Sequence, residues 1–445
     1  MNLIKYILII TVLIASVLIT HSQEQLSAEQ AVVKALENNY QMQIAQKRNE
    51  ITSKNNKWSE AGAFPTVELT AALGNSILDN TNNPLTFTPG LIATNSLTPG
   101  INVNWNIFSG MGVRITKQRL DQLEKQSKGN GMLILENTAH DVLLAYYTAV
   151  METQRLETLK ELLAYSRRQF EYEESKQSFA QSNKLSVFQL KNQYFTDSLN
   201  VIQQRITKEN AMRNLLLLMN VEEVEFEQEI FPILTDSLNI TLHPIDENSV
   251  IQEMKANNQN LKNQIINLEL QKTTTNMQRS FLYPVVSLQF GTTPNYGNFR
   301  SLQESDLNIQ TQQITYFANI NVRYSLFNNW KDKRAVEVSK IEEEIAEMNV
   351  EELEKQLTVN AINSIKLYKV KNQLVDVSSQ NVAYAELAYE IGRERYELGS
   401  INSIELTQLQ NAYLNAKMDY FNALFQRIEM YLELFKLTGK LQLIY

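Results

Sequence analysis

Residues 314–330 read ITYFANINVRYSLFNNW, and this stretch decides the fold. Ile314, Tyr316, Ala318, Ile320, Val322, Tyr324 and Leu326 share one parity. Thr315, Asn319, Asn321, Arg323 and Ser325 share the other, where Phe317 is the exception. Side chains alternate between the faces of a strand, so the pattern predicts a strand over 314–327 with one apolar and one polar face. A core would not accept an Arg among asparagines unpaired, so the polar face meets water and the apolar face something oily. The run suits a tilted membrane crossing, which takes roughly 9–11 residues.

The same pattern occurs earlier. Over 101–108, INVNWNIF sets Ile101, Val103, Trp105 and Ile107 against Asn102, Asn104 and Asn106. Asn102 aligns with Asn321, Val103 with Val322, Trp105 with Tyr324 and Phe108 with Phe327, an offset of 219 residues. That offset also aligns Phe64-Pro65 with Tyr283-Pro284, Val67 with Val286, Leu69 with Leu288 and Asn38-Asn39 with Asn257-Asn258. The chain reads as a tandem duplication, each half holding one hairpin within a helical sequence.

Composition excludes several functions. Of 445 residues 20% are charged and the formal net charge is −8, which argues against a nucleic-acid partner. Cysteine is absent, which removes disulfides, thiolate metal sites and a lipidated N-terminal Cys. His21, His140 and His243 are scattered without ligand spacing, so no metal or His-based catalytic site is expected. No nucleophile–base arrangement or Gly-rich phosphate loop is evident, so neither an enzyme nor a cofactor is expected. The N-terminus reads as a signal peptide over 1–22: Lys5 precedes an apolar run, 6–20, too short for a transmembrane helix. An uncleaved anchor is the other reading. Any membrane crossing then rests on strands.

In chain order, the first repeat spans 23–219. Residues 26–62 read as a helix opened by a Ser27/Gln30 capping box and ended by Pro65. Strands are expected at 66–73 and 99–108, separated by a polar loop over 74–97. Residues 113–176 read as one long helix with a soft point at Gly129 and Gly131. A break over 179–185 precedes a helix at 186–219, with Ser186 and Gln189 as its cap. Residues 220–248 form a mixed segment with strand-like alternation at Val224, Phe226 and Ile230. The second repeat, 249–437, predicts a helix at 249–282, a strand at 285–291, a polar loop at 292–312 and the opening strand. Helices at 331–397 and 403–437 follow, with a break over 398–402, and 438–445 is a short tail. Glu342, Glu343 and Glu344 lie on a charged, solvated helix face.

Four amphipathic strands cannot close a barrel, and lipid does not tolerate open edges, so the chain must oligomerise. Two copies give eight strands and a filled interior; three give twelve and a water channel, which the Asn-rich face favours. Phe64, Trp105, Phe108, Tyr283, Tyr324, Phe327 and Trp330 gather where strands meet helices, as aromatic rings do at a membrane interface.

The chain resembles the TolC-type outer-membrane efflux protein family over its whole mature length. The resemblance rests on the duplication, the strand starts at Pro65 and Pro284, the strand ends NVNWNIFSG and NVRYSLFNN, and RYELG over 395–399. It implies a homotrimer in the outer membrane, touching outer-membrane lipid. A twelve-stranded barrel would continue into a hollow twelve-helix tube through the periplasm, and 220–248 would be its equatorial segment. The tube would dock on a periplasmic adaptor (membrane fusion) protein and an inner-membrane pump of a tripartite efflux or type I secretion system. The chain would be a passive exit duct. A periplasmic coiled-coil binding protein without a pore would explain the helices but not the two hairpins. An adaptor would carry one helical hairpin between β domains, the reverse of this order.

The family closes its periplasmic end at the two interhelical turns. Those turns align here at an offset of 217, Phe179 with Tyr396, Ser186 with Ser403 and Gln193 with Gln410, and Gly399 lies within the second turn. The resemblance assigns the pore constriction to Glu405 and Gln408, the second being an amide where the family has an acid. Three Glu405 side chains would favour cations. Alternatively, Glu405 only caps its helix with Asn402. The basic latch residue of the family falls on Ile401 and its acidic partner on Phe188, so the latch is not carried over. A closed state would rest on apolar packing of Leu185, Phe188, Ile401 and Ile404.

Overall fold

The structure is a computed structural model describing residues 25–86, 90–221, 231–240, 246–303 and 308–441, the side chains of 247 and 248 excepted. The expected signal peptide, and the alternation at Val224, Phe226 and Ile230, lie outside these residues. The chain runs β1 (Gln25–Leu26), α1 (Ala28–Asn38), α2 (Tyr40–Asn55), β2 (Thr66–Asp79), β3 (Leu91–Ser109), α3 (Gly112–Ser178) and α4 (Lys184–Leu218). There follow β4 (Ile233–Leu234), α5 (Glu247–Asn257), α6 (Gln259–Ser280), β5 (Val285–Ser301), β6 (Asn308–Arg323), α7 (Lys331–Glu397) and α8 (Ser403–Leu437). α1, α3 and α4 recur as α5, α7 and α8 with identical lengths, each displaced by 219 residues. The chain divides into two compact units, and the divisions fall within α2, α3, α6 and α7.

One unit, 47–129 with 263–351, carries the sheet. Its order is β2-β3-β5-β6, every neighbour antiparallel. The register aligns the two parities across all four strands. Val67, Val103, Phe290 and Ala318 form one row. Thr66, Asn104, Gln289 and Asn319 form the row beside it, on the other face. Every strand outgrows its expected bounds except β6, which ends at Arg323 rather than 327. The loop expected over 74–97 shrinks to the residues between Asp79 and Leu91, and that over 292–312 to those between Ser301 and Asn308. Polar composition explains the shortfall at β2 and β6, and proline, which lacks a ladder donor and reads as a strand end, adds to it between β3 and β5. Here the register runs from Leu97↔Tyr296 to Ile101↔Thr292 with no pairs between, which sets Pro99 opposite Pro294. The two missing donors share one gap. A bulge between Asn106 and Phe108 then brings Phe108 opposite Val286.

The other unit, 25–46 with 130–262 and 352–441 among described residues, is helical apart from the parallel pair β1–β4. Its main core joins Leu26, Val32 and Ala35 to Val142, Leu143 and Tyr146 of α3, Leu215 of α4, and Leu424, Ile428 and Leu432 of α8. The Tyr146 hydroxyl donates to the Leu26 carbonyl at 2.8 Å, and the Ala28 amide donates to Asp236 at 2.7 Å. α3 passes through Gly129 and Gly131 without a break.

The helix expected over 26–62 is two helices divided at Asn39, and the one expected over 249–282 is divided at Asn258. The Ser27/Gln30 capping box is present. The Asn39 backbone N–H donates to the Ala35 carbonyl and its side-chain Oδ1 accepts from Gln41 and Met42, so its backbone closes one helix and its side chain opens the next. Asn258 does the same with Met254 and Leu261. An Asn side chain competes with the helix for its own backbone, and at these two points it wins. α2 also stops at Asn55, ten residues before the Pro65 taken as its terminator.

Candidate functional site

The helical unit holds the two interhelical turns. Each opens the same way: Ala180 and Gly399 adopt left-handed backbone (φ 59 and 72), and Gln181 and Ser400 donate back to Lys176 and Arg395. Each ends on an Asn cap, Asn183 accepting from Ser186 at 2.8 Å and Asn402 from Glu405 at 3.0 Å. Ser186 is therefore inside the first turn of α4 rather than its cap. The turns correspond at 219 residues, not 217, so Ala180 answers Gly399, Ser186 answers Glu405 and Gln189 answers Gln408. The side chain of Glu405 returns to the Asn402 amide at 2.9 Å, completing a capping box. Glu405 and Gln408 are both exposed. Leu185, Phe188 and Ile404 are exposed as well, whereas Ile401 packs on the buried cluster below.

That cluster was not legible in the sequence. Tyr165 of α3 meets Tyr389 of α7 edge-on at 5.7 Å, and Tyr389 stacks on Tyr413 of α8 at 5.7 Å. The Arg393 guanidinium lies over Tyr165 at 4.3 Å. α7 approaches α8 closely at Gly392, where a Cβ would come within 2.4 Å of Leu409. Tyr396 is buried and donates to Glu173 at 2.8 Å, and Ser182 also donates to Glu173. Burial pushes the hydroxyls of Tyr389 and Tyr396 well above the ordinary tyrosine value.

Across the hairpins, buried Ser403 donates to Gln189 at 2.6 Å. Deeper, Asp197 of α4 is 3% exposed and accepts from Gln193 at 2.8 Å and Gln410 at 2.9 Å. Burial raises the Asp197 carboxyl, while hydrogen bonds from Ser166, Gln410 and Gln193 oppose the shift. Gln193 and Gln410 were aligned in the sequence as repeat partners. They come together not as equivalents but as two donors to one carboxylate.

In the sheet unit, Phe64, Tyr283, Tyr324, Phe327 and Trp330 are more than half exposed, Trp105 is also exposed and Phe108 half-buried. Trp105 Nε1 donates to the Ala63 carbonyl at 3.0 Å, and Phe327 meets Trp330 edge-on at 5.9 Å. Tyr324 and Phe327 follow the end of β6 instead of lying within it. Apolar residues on both edge strands stand in solvent, Leu69 and Leu73 of β2 and Tyr316 and Ile320 of β6 among them. Among the described residues no helix is long and apolar enough to cross a membrane, and no three metal-ligating side chains converge.

Residues 250–440 match the model of a family described as outer membrane efflux protein. No curated protein matches in sequence. The fold matches solved structures at high coverage and low identity. A membrane protein from Pseudomonas aeruginosa is 14% identical with a TM-score of 0.77, over 93% of this chain and 92% of that one. The Campylobacter jejuni CmeC outer membrane channel is 16% identical with a TM-score of 0.76, over 93% and 86%. The Vibrio cholerae outer membrane protein VceC is 14% identical with a TM-score of 0.73, over 93% and 96%. By sequence the second half of the chain matches the outer membrane efflux protein family, and by fold 93% of the chain resembles solved outer-membrane proteins.

Proposed function

We propose that three copies close a twelve-stranded barrel in the outer membrane and pool their helices into a twelve-helix periplasmic duct. Substrates delivered by an inner-membrane pump through a periplasmic adaptor would leave passively, and the chain would catalyse nothing. One observation carries this reading: among the described residues no strand pairs with either edge of the sheet, β2 or β6, while one of its faces is apolar. An unpaired edge in hydrocarbon costs several kcal/mol per group. β2 and β6 run antiparallel to each other, so β6 of one copy can pair with β2 of the next without breaking the alternation. The row of Asn104, Gln289 and Asn319 suits a watered interior, which twelve strands enclose and eight do not.

At the turns, exposed Leu185, Phe188 and Ile404 are available to neighbouring copies, and they support a tip that shuts by apolar packing beside Ile401. Adaptor contacts belong on the same surface. The capped Glu405 keeps an exposed carboxylate at the start of α8, and Ser186 stands at the matching place of α4. Single-channel conductance of the purified protein in a planar bilayer tests both points. A conducting, cation-preferring pore that loses its preference in Glu405→Ala supports the ring. A pore indifferent to that change leaves Glu405 as a cap alone. Phe188→Asp should raise conductance or leak; an unchanged closed state would remove the apolar gate.

A further inference from the structure

Four features meet where β6 gives way to α7. The first is charge against the helix. Lys331, Lys333 and Arg334 occupy the first turn of α7, where the peptide dipoles disfavour cations, and Asp332 is the one acid there. All three cations are exposed. Arg334 is spent on the Asn329 carbonyl at 2.8 Å, Lys333 lies over the Trp330 ring at 4.3 Å, and none pairs with a described carboxylate.

The second feature is apolar exposure beside that charge. Leu326 is 89% exposed, and Phe327 and Trp330 form a right-angled pair standing in solvent next to it. The third is backbone strain. Asn329 and Trp330 both adopt left-handed φ, 56 and 60, a conformation that bulky residues rarely hold. The strain aims the ring and the cations as one group. The fourth is the contrast with the corresponding point of the first repeat. Gly110 and Met111 make the same left-handed pair there, but Gly112, Val113, Arg114 and Ile115 stand where the second repeat has Lys331, Asp332, Lys333 and Arg334. The turn is shared, so the extra cations are not needed to make it.

We propose that this junction is a phospholipid-headgroup site: Leu326, Phe327 and Trp330 enter the acyl boundary, and Lys331 and Lys333 hold the phosphate of an anionic lipid. Charge complementarity selects that occupant. A chain of net charge −8 gathers three cations in four residues beside its exposed aromatic rings. Basic residues beside an interfacial aromatic group are the arrangement that anionic lipid surfaces attract. The inference rests on the proposed placement of the sheet in the membrane. It adds an assignment of headgroup chemistry to the second repeat alone.

The test uses the full-length protein carrying W58F and W105F, which leaves Trp330 as the one tryptophan, reconstituted in vesicles. Acyl chains brominated on phosphatidylglycerol or on phosphatidylcholine quench a nearby indole, and the two quenching curves give a relative lipid association at Trp330. We expect phosphatidylglycerol to be preferred by roughly fivefold, and K331Q/K333Q/R334Q to bring the ratio close to one. Equal quenching by both lipids in the parent protein overturns the headgroup site while keeping the membrane placement. No quenching by either lipid overturns both. Loss of the preference in inorganic phosphate, but not in chloride of matched ionic strength, reassigns the cations to free phosphate and overturns the lipid assignment. Helix and strand content by circular dichroism confirms that the glutamine variant keeps its fold.

Discussion

The two helical hairpins match in length residue for residue, yet they are built from different interiors. α3 and α7 each have 67 residues, and α4 and α8 each have 35. Both hairpins stack an aromatic pair at the same height: Phe170 on Tyr194 at 6.1 Å in the first, Tyr389 on Tyr413 at 5.7 Å in the second. The first pair is half-buried and the second buried. Asp197, buried in α4, has Ala416 as its counterpart in α8. The difference teaches that backbone geometry is kept by turns and caps, while the interior is free to make one hairpin the hydrophobic anchor and the other the polar one.

The largest effect should separate the two stacks. Tyr389→Ala empties a buried site touching Tyr165, Tyr413 and Arg393, and should cost about 3–5 kcal/mol. Phe170→Ala, at the half-buried pair, should cost about 1–2 kcal/mol. Thermal melts of the two variants in detergent by circular dichroism measure the gap, and equal losses would break the comparison.

Asp197 comes next. Asp197→Ala strands the Gln193 and Gln410 amides and should cost about 1–3 kcal/mol, whereas Asp197→Asn keeps an acceptor and stays within about 1 kcal/mol of the parent. The pH dependence has a definite sign. Burial raises this carboxyl above its ordinary value of 3.8. Its contribution is therefore fully present below that value and is lost as pH rises through the higher folded value. Melting points followed from acid to neutral pH should show a step in the parent that Asp197→Asn lacks. A step surviving in the variant would place the titration elsewhere.

The helix-dividing asparagines give a smaller contrast. Asn258 is buried and also donates to the Leu437 carbonyl at 2.9 Å, whereas Asn39 is half-buried and serves only its own helices. Asn258→Ala should cost about 2 kcal/mol and Asn39→Ala about 1 kcal/mol, read from the same melts. The smallest effects belong to the turns and carry opposite signs. Ala180→Gly relieves a left-handed alanine and should gain up to about 1 kcal/mol. Gly399→Ala should lose about 1 kcal/mol by strain alone, since a Cβ there meets nothing within 4 Å.

Much of the fold was legible because it follows from local rules. Period-two alternation marked the strands at 101–108 and 314–327, the 219-residue interval carried the element order, and Asn402 with Glu405 offered its capping box as one of two readings. The strand lengths were not legible, because their outer ends are polar and read as loops, and Pro99 stood at an expected strand start until the register set it opposite Pro294. The helix divisions at Asn39 and Asn258 were hidden for another reason. Asn costs a helix little on average, and only its hydrogen bonds reveal that it stops one. The tip assignment drifted by two residues, because similar residues at 217 outweighed the turn chemistry that holds 219. The Asp197 and Tyr389 clusters depend on which helix packs beside which, and no spacing along a single helix encodes that.

The central claim is that the open edges of the sheet close on other copies of the chain. The sequence contains no cysteine, so introduced pairs report without background. Single cysteines placed along β2 from Thr66 to Asp79, combined with one on β6 such as Asn319→Cys, should form disulfides at matching heights in outer-membrane preparations. The account predicts a non-reducing ladder of one, two and three chains that stops at three. Monomers alone at every position, or a ladder climbing past three, would contradict it.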